Sequence, residues 1–331
     1  MRIATISRRY AQGLMLAASA IMLVPGAASA QEAWPKAKPI KVIIPFGVGS
    51  ATDIIARIVM DEVGRSLGQT VVPENKVGAA GTIASAAVAK AEPDGYTVLV
   101  HSSSHTVTPN TFSKLTYDTE KDLAGVLPLA NIPIVVVTSA KNGHKSLGDL
   151  VKAGLAKPGS MNFASAGAGS ATHLACERLK IATKLQAAHV ATKGSSDALT
   201  EILGQRVDFY CSPIDAAISL IKDGQVTALA VSSAKRASSL PNVPTTVEAG
   251  YADSGYAFWV GAFLPRATPA DIRKRLHAEL VKAIKSPAIA KKFADLGAEP
   301  LTISPEEFDA MVKAEIATNA GLVKAAGVKV N

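Results

Sequence analysis

Two short strings share one pattern, G-x-G-S-A-T: Gly47 to Asp53 (GVGSATD) and Gly167 to His173 (GAGSATH), about 120 residues apart. Each follows an apolar, strand-like run. A turn leading from the carboxyl end of a strand into a helix presents unpaired backbone N–H groups and the positive end of the helix dipole, which together suit an anion. Gly47, Gly49, Gly167 and Gly169 allow positive φ and close approach of a ligand to the backbone. Ser50 and Ser170 read as helix N-caps or hydroxyl donors. Asp53, three residues after Ser50, has capping-box spacing and so reads as a group that holds the turn; His173 stands at the same place in the second copy. One such turn per domain, both facing a shared cleft, predicts two half-sites that converge on one anionic ligand.

The same glycines admit a second reading. A strand, Gly47-x-Gly49, a helix, and Glu74 after Val71-Val72 imitate a dinucleotide-binding unit, which would make the chain an NAD(P)-dependent oxidoreductase. Thr52 stands where that fingerprint needs its third glycine, and an exported protein meets little nicotinamide. His101 and His105 bracket a serine-rich HSSSH after a strand, which predicts a loop of hydroxyl donors over a helical zinc pair. No G-x-S-x-G, H-E-x-x-H or G-x-x-x-x-G-K-[ST] occurs. Neither a catalytic residue, a metal nor a cofactor is expected. His144, His189 and His277 read as surface or structural residues, and Trp259 as core or hinge packing. Cys176 and Cys211 are too few for a thiolate zinc site and are not spaced C-x-x-C. They are either a disulfide of an oxidising compartment or two buried thiols.

The turns need elements to position them. Apolar runs predict strands at 41–46, 70–72, 96–100, 132–137, 161–164, 189–190, 207–210, 228–231 and 257–264. Helical spacing predicts helices at 54–67, 81–91, 172–181, 197–203 and 216–221, with one opening at the capping box Ser146 to Asp149. From Thr268 the pattern is helical to the end. Thr268-Pro269-Ala270-Asp271 and Ser304-Pro305-Glu306-Glu307 each offer a cap, a first-turn proline and an acid three residues on. Alternation of this kind predicts an α/β protein of parallel βαβ units in two domains, each a central sheet flanked by helices, with a ligand cleft at the hinge. The last helices must pack back on the first unit. Domain 1 is therefore expected to be discontinuous, 31–133 with 255–331, and domain 2 to span 134–254.

Arg2, Arg8 and Arg9, the apolar stretch 14–24 and Ala28-Ser29-Ala30 predict a signal peptide over 1–30, cleaved after Ala30. Arg8-Arg9 leaves both twin-arginine and ordinary export open. Beyond it no run approaches the roughly 18 apolar residues of a membrane span, so a soluble exported protein is expected. Loss of the three arginines lowers the net charge from +8 to +5. The basic residues are scattered and only 5% of residues are aromatic, which excludes a nucleic-acid platform.

The order of motifs is more specific than any one of them. Pro45-Phe46 with the first glycine turn and Asp53, Glu74-Asn75-Lys76-x-Gly78-Ala79-x-Gly81, and Pro93-Asp94-Gly95-Tyr96-Thr97 come first. Tyr117-Asp118-x-x-Lys121-Asp122, Ser165-x-Gly167-x-Gly169 with His173, and Leu240-Pro241-x-Val243-Pro244-Thr245 follow. This series resembles the Bug-type (Bordetella uptake gene) receptors of tripartite tricarboxylate transporters. The resemblance implies a monomeric, non-enzymatic periplasmic binding protein of the type II-like two-domain class, which hands a small carboxylate to membrane permease subunits. It implies ligand contacts at Phe46, Gly47, Gly49, Ser50 and Thr52, at Ser103 and Ser104, and at Ser165, Gly167, Gly169 and Ser170. Two departures stand out. The family's P-G-G turn is Val48-Gly49-Ser50 here, and Ser212 replaces an acid after the strand at 207–210, with Asp215 three residues on. Ser212 in place of the acid would favour plain or doubly anionic acids over amino-bearing ones.

Overall fold

A computed structural model describes residues 34–330; the expected leader at 1–30 lies outside the described residues. The chain runs β1 (Ile40–Ile44), α1 (Ala51–Leu67), β2 (Val71–Asn75), α2 (Thr82–Ala89), β3 (Thr97–Ser102), α3 (Ser104–Thr111), α4 (Thr119–Asp122), β4 (Leu123–Asn131) and β5 (Ile134–Ser139). It continues through α5 (Leu147–Ala156), β6 (Met161–Ser165), α6 (Ala171–Thr183), β7 (Ala187–Ala191), α7 (Ser195–Leu203), β8 (Phe209–Pro213), α8 (Ile214–Lys222) and β9 (Val226–Val231). Then come β10 (Trp259–Pro265), α9 (Ala270–Lys285), α10 (Pro287–Leu296), β11 (Glu299–Pro300) and α11 (Pro305–Ala326).

The strands form two sheets, in the orders β11-β4-β10-β3-β1-β2 and β7-β6-β8-β5-β9. In the first, β1 pairs in parallel with both β2 and β3; in the second, β6 pairs in parallel with both β7 and β8. The rest of each sheet is antiparallel. The two sheets therefore repeat one wiring, strand, helix, strand, helix, strand, with the first strand in the middle. β1 and β6 are the strands at which the order reverses, and in an open α/β sheet a ligand crevice opens beyond the carboxyl end of such a strand. Each carries one of the two glycine turns.

Helix α1 shows why the local pattern succeeds. Ser50 caps it by accepting from the Asp53 amide. Ile55, Val59, Met60 and Val63 recur at helical spacing and are fully buried, each worth about 1.5–3 kcal/mol of apolar burial. Helix α11 opens at the full Ser304/Glu307 capping box with Pro305 in its first turn, and α5 opens at the Ser146/Asp149 box.

Three expectations need correction. Thr268 does not cap α9: the helix starts at Ala270 with Pro269 at its N-cap and no side-chain cap bond, and the buried Thr268 Oγ1 is unpaired. HSSSH is no loop, since His101 and Ser102 end β3 while Ser104 and His105 begin α3. The strand β4 has no counterpart in the apolar pattern. Gly125 and Pro128 interrupt its sequence, but the irregular register against β10 around Pro128 accommodates the missing N–H, and burial on both faces removes any alternation.

The chain passes from the first sheet to the second between β4 and β5 and returns between β9 and β10. The two passages are tied side by side: Ile132 N donates to Phe258 O (2.8 Å) and Ser232 N to Ile134 O (2.8 Å). Among the described residues, no helix is long and apolar enough to cross a membrane.

Candidate functional site

The turn after β1 is held from below by a carboxylate. Asp53 Oδ2 accepts from Gly49 N (3.0 Å), while Oδ1 accepts from Arg57 Nε (2.8 Å) and Asn75 Nδ2 (2.8 Å). Asn75 also donates to Phe46 O (2.9 Å), so the end of β2 is tied to the turn. Gly49 takes φ +78°, a conformation that glycine adopts freely.

The turn after β6 has the same form with other chemistry. His173 N donates to Ser170 Oγ (3.3 Å), and Gly169 N donates to His173 Nδ1 (3.1 Å). Ser165 Oγ accepts from Gly167 N (3.1 Å), donates to Gly167 O (3.0 Å) and meets His189 Nε2 at 2.6 Å. The His173 and His189 rings stack, with centroids 3.6 Å apart and planes 11° from parallel. Burial, and then the neighbouring His173, lower the His189 pKa to about 3, so that ring is neutral. Burial works to raise the Glu177 carboxyl, but hydrogen bonds from His173 and Lys180 hold it below its ordinary range.

The two turns meet across a cleft. Gly47 N donates to Lys193 O (3.2 Å), Ser196 Oγ to Val48 O (3.2 Å) and Ala171 N to Ser104 Oγ (2.9 Å). A cavity of about 350 Å³ lies between them, lined from one side by Pro45, Phe46 and the loop Val77–Ala80, and from the other by Ala166–Ala168 and Ala191–Lys193. Of the residues expected from sequence, Phe46 and Gly167 line this cavity, while Gly47 is tied by its amide to Lys193 O. Ser50, Thr52, Ser104, Ser165 and Ser170 are buried in or directly behind the turns, and Gly169 packs against Thr111 and Phe112. Ser103 is buried with its Oγ unpaired. Ser212 lies inside β8 with its hydroxyl donated to Pro213 O (2.9 Å), and it does not line the cavity.

The glycine amides themselves are spent on Lys193, Asp53, Ser165 and His173. Helix geometry leaves the first-turn amides Ala51 and Thr52 of α1, and Thr172 of α6, without intrahelical partners. They mark the positive ends of the two helices that follow the turns.

Sequence reasoning missed the loop between β2 and α2. Ala79 and Ala80 hold φ +46° and +52°, a left-handed conformation that costs a residue with a Cβ about 1–2 kcal/mol. Strain of this kind is kept where the backbone is over-determined, and Ala80 here approaches Gly167 of the opposite turn. Only the G-A-A-G punctuation hinted at it. His101 packs beneath this loop, edge-on to Phe46, and burial lowers its pKa to about 3. His101 and His105 rings lie 5.5 Å apart, and among the described residues no group of three or more His, Cys, Asp or Glu is placed to hold a metal. A larger groove, about 730 Å³, runs along α1 and β2 near Arg57, Arg65 and Lys292, away from both turns.

Cys176 of α6 and Cys211 of β8 stand with Cα atoms 5.5 Å apart and their sulfurs joined as a disulfide. Beside them, Asp215 in the first turn of α8 is buried with Oδ2 unpaired, and burial raises its pKa to about 7.

The family model of the tripartite tricarboxylate transporter family receptor matches residues 55–328. Protein BugT of Bordetella pertussis is 34% identical over 295 residues, covering 88% of this chain and 90% of that protein. The fold is that of solved periplasmic binding proteins. The R. palustris protein Rpa4515, solved with adipate, superposes with a TM-score of 0.86 at 30% identity, covering 89% of this chain and 99% of its own. MatC from Rhodopseudomonas palustris, solved with bound malate, gives 0.83 at 30% identity, covering 87% and 99%.

Proposed function

This chain belongs to the tripartite tricarboxylate transporter receptor family, and from that premise we propose that it captures a small carboxylate in the cleft between its two glycine turns. The observation that carries the reading is the duplication: the same turn follows the order-reversing strand of each sheet, and a cavity lies between Phe46, which leads into the first copy, and Gly167-Ala168 of the second. The structural relatives solved with adipate and malate support a dicarboxylate-sized ligand.

In this reading the lobes are residues 31–133 with 255–331, and 134–254, closing about the paired passages beside Ile132 and Ser232. The carboxylate oxygens take hydrogen bonds from the amides of Ala51, Thr52 and Thr172 and from Ser and Thr hydroxyls, with water completing the shell. Phe46, Gly47, Gly49, Gly167 and Gly169 shape the walls. Ser50, Ser165 and Ser170 hold the turns, and Ser103 and Ser104 bridge from α3. The receptor works as a periplasmic monomer after cleavage at Ala30 and delivers its solute unchanged to membrane permease subunits.

Thermal-shift measurement against adipate, malate, citrate and benzoate tests the reading. A ligand at 100 times its dissociation constant adds about 2.7 kcal/mol to the folded state. A stabilising acid recovered unchanged supports a receptor. Turnover of the acid, or tight binding of a nicotinamide nucleotide in its place, would favour the oxidoreductase alternative built on Gly47-x-Gly49.

A further inference from the structure

We propose that His173 is a positioning residue whose bare Nδ1 holds the second glycine turn in its ligand-ready form, so that protonating this imidazole releases the bound carboxylate. The inference rests on the carboxylate-receptor reading and adds a proton-sensitive step to it.

The hydrogen bonds assign the His173 tautomer. Gly169 N donates to His173 Nδ1 (3.1 Å), so Nδ1 carries no proton, and the ring's own N–H is at Nε2, facing Glu177 Oε1 at 3.6 Å. Ser165 Oγ lies 3.0 Å from Gly167 O and 2.6 Å from His189 Nε2, so the second ring also reaches the turn through this hydroxyl. Both stacked rings thus brace one turn, one through Gly169 and the other through Ser165 and Gly167. A second proton on His173 has one place to go, Nδ1, directly against the Gly169 N–H. The turn cannot keep that bond. Glycine at 169, now at φ +75°, lets the peptide swing away, and the amides of the second turn leave their places.

The charged and titratable groups facing the pair are few. From the same helix, Glu177 and Lys180 are paired with each other at 2.8 Å; from β7 there is His189. On β8, α3 and α11, which pack against α6, Tyr210 donates to Ser195, His105 stacks on Phe263, and Glu315 accepts from Trp259 and Thr106. The sign follows. The bound state needs an unprotonated Nδ1, so binding weakens as pH falls and Nδ1 takes up a proton. The first turn has no such switch, since Asp53 fills the same place there and is tied to Arg57.

The test combines two measurements. In ligand-free protein, NMR from pH 8 to 5 follows the Gly169 amide and the His173 ring. In calorimetry, adipate, malate, citrate and benzoate are titrated at pH 7.5 and 5.5 into the native protein and into His173→Asn, whose Oδ1 accepts where Nδ1 did and does not titrate. The variant is read through its pH slope, which cancels protonation of the acid itself. The Gly169 amide should shift with the midpoint of the His173 ring. The dissociation constant of the native protein should rise severalfold more than that of His173→Asn between the two pH values, by at most about tenfold per pH unit for one coupled proton. A Gly169 amide that ignores the ring's titration, or equal pH slopes in the two proteins, would overturn the inference while leaving the receptor reading intact. If none of the four acids binds at pH 7.5, the carboxylate reading fails and the release step with it.

Discussion

Asp53 and His173 occupy the same place in two copies of one turn, and their surroundings differ in kind. In the first lobe a carboxylate takes bonds from Gly49, Arg57 and Asn75, so charge is answered by charge. In the second a neutral imidazole takes the equivalent bond from Gly169 and stacks on a second imidazole. The second lobe also carries the disulfide and, in Asp215, a buried carboxyl with one unpaired oxygen. The comparison teaches that a turn's shape can be repeated from local sequence while its response to pH and redox conditions is set by what lies beneath it.

The largest expected effect concerns a buried acid of the second lobe. Asp215, pushed up to about 7 by burial, is an acid whose folded pKa lies above its unfolded value. Its ionisation therefore costs nothing below pH 4 and erodes stability as pH rises toward 7, by about 1 kcal/mol per pH unit for one proton. Asp215→Asn should flatten that fall, measured by urea denaturation at pH 5 and 8. Equal pH slopes in variant and native protein would mean the carboxyl finds a partner or water.

The staple comes next. A 35-residue separation between Cys176 and Cys211 makes their disulfide worth about 2–4 kcal/mol. Thiol titration of the unfolded, unreduced protein should find no free thiol, and reduction should lower the melting temperature by unfolding the second lobe. Two free thiols would remove this asymmetry.

Third, the glycines of the two turns should respond unequally. A Cβ at Gly169 would lie 2.7 Å from Thr111 Oγ1 on top of an unfavourable φ, whereas at Gly49 the nearest atom is Ser196 Cβ at 3.9 Å. Gly169→Val should weaken carboxylate binding on the order of 100-fold and Gly49→Val about tenfold, mostly through strain. Lys193→Ala, which removes a cation from the cavity wall but keeps the backbone carbonyl, should cost a few-fold. Calorimetry that ranks Lys193→Ala above Gly169→Val would put a salt bridge in place of the backbone site.

The smallest effect compares the braces directly. Asp53→Ala removes a buried acceptor of three bonds and should cost roughly 2 kcal/mol of stability; His173→Ala removes one neutral acceptor and should cost roughly 1. Denaturation at pH 7.5 orders them, and equal costs would show that Arg57 and Asn75 add nothing to the first turn.

What sequence alone determined is what closes within a few residues. Ser50, Ser146, Ser170 and Ser304 cap their helices because donor and acceptor are three positions apart, and the apolar spacing of α1 needs only its own periodicity. The strand, turn and helix around each G-x-G-S-A-T were legible for the same reason. Tertiary structure decided the rest. Thr268 fits the capping pattern but does not cap, and β4 forms around Gly125 and Pro128 because neighbouring strands supply the pairing. Ala79 and Ala80 adopt positive φ where their loop approaches the opposite turn. Ser212, expected at the ligand, lies inside β8 with its hydroxyl on Pro213. That Asn75 completes the first turn and His189 the second could not be read from the repeat, because each reaches it only when separate strands pair. Local bonds are written in spacing, but partners brought together by sheet pairing are set only by the folded packing.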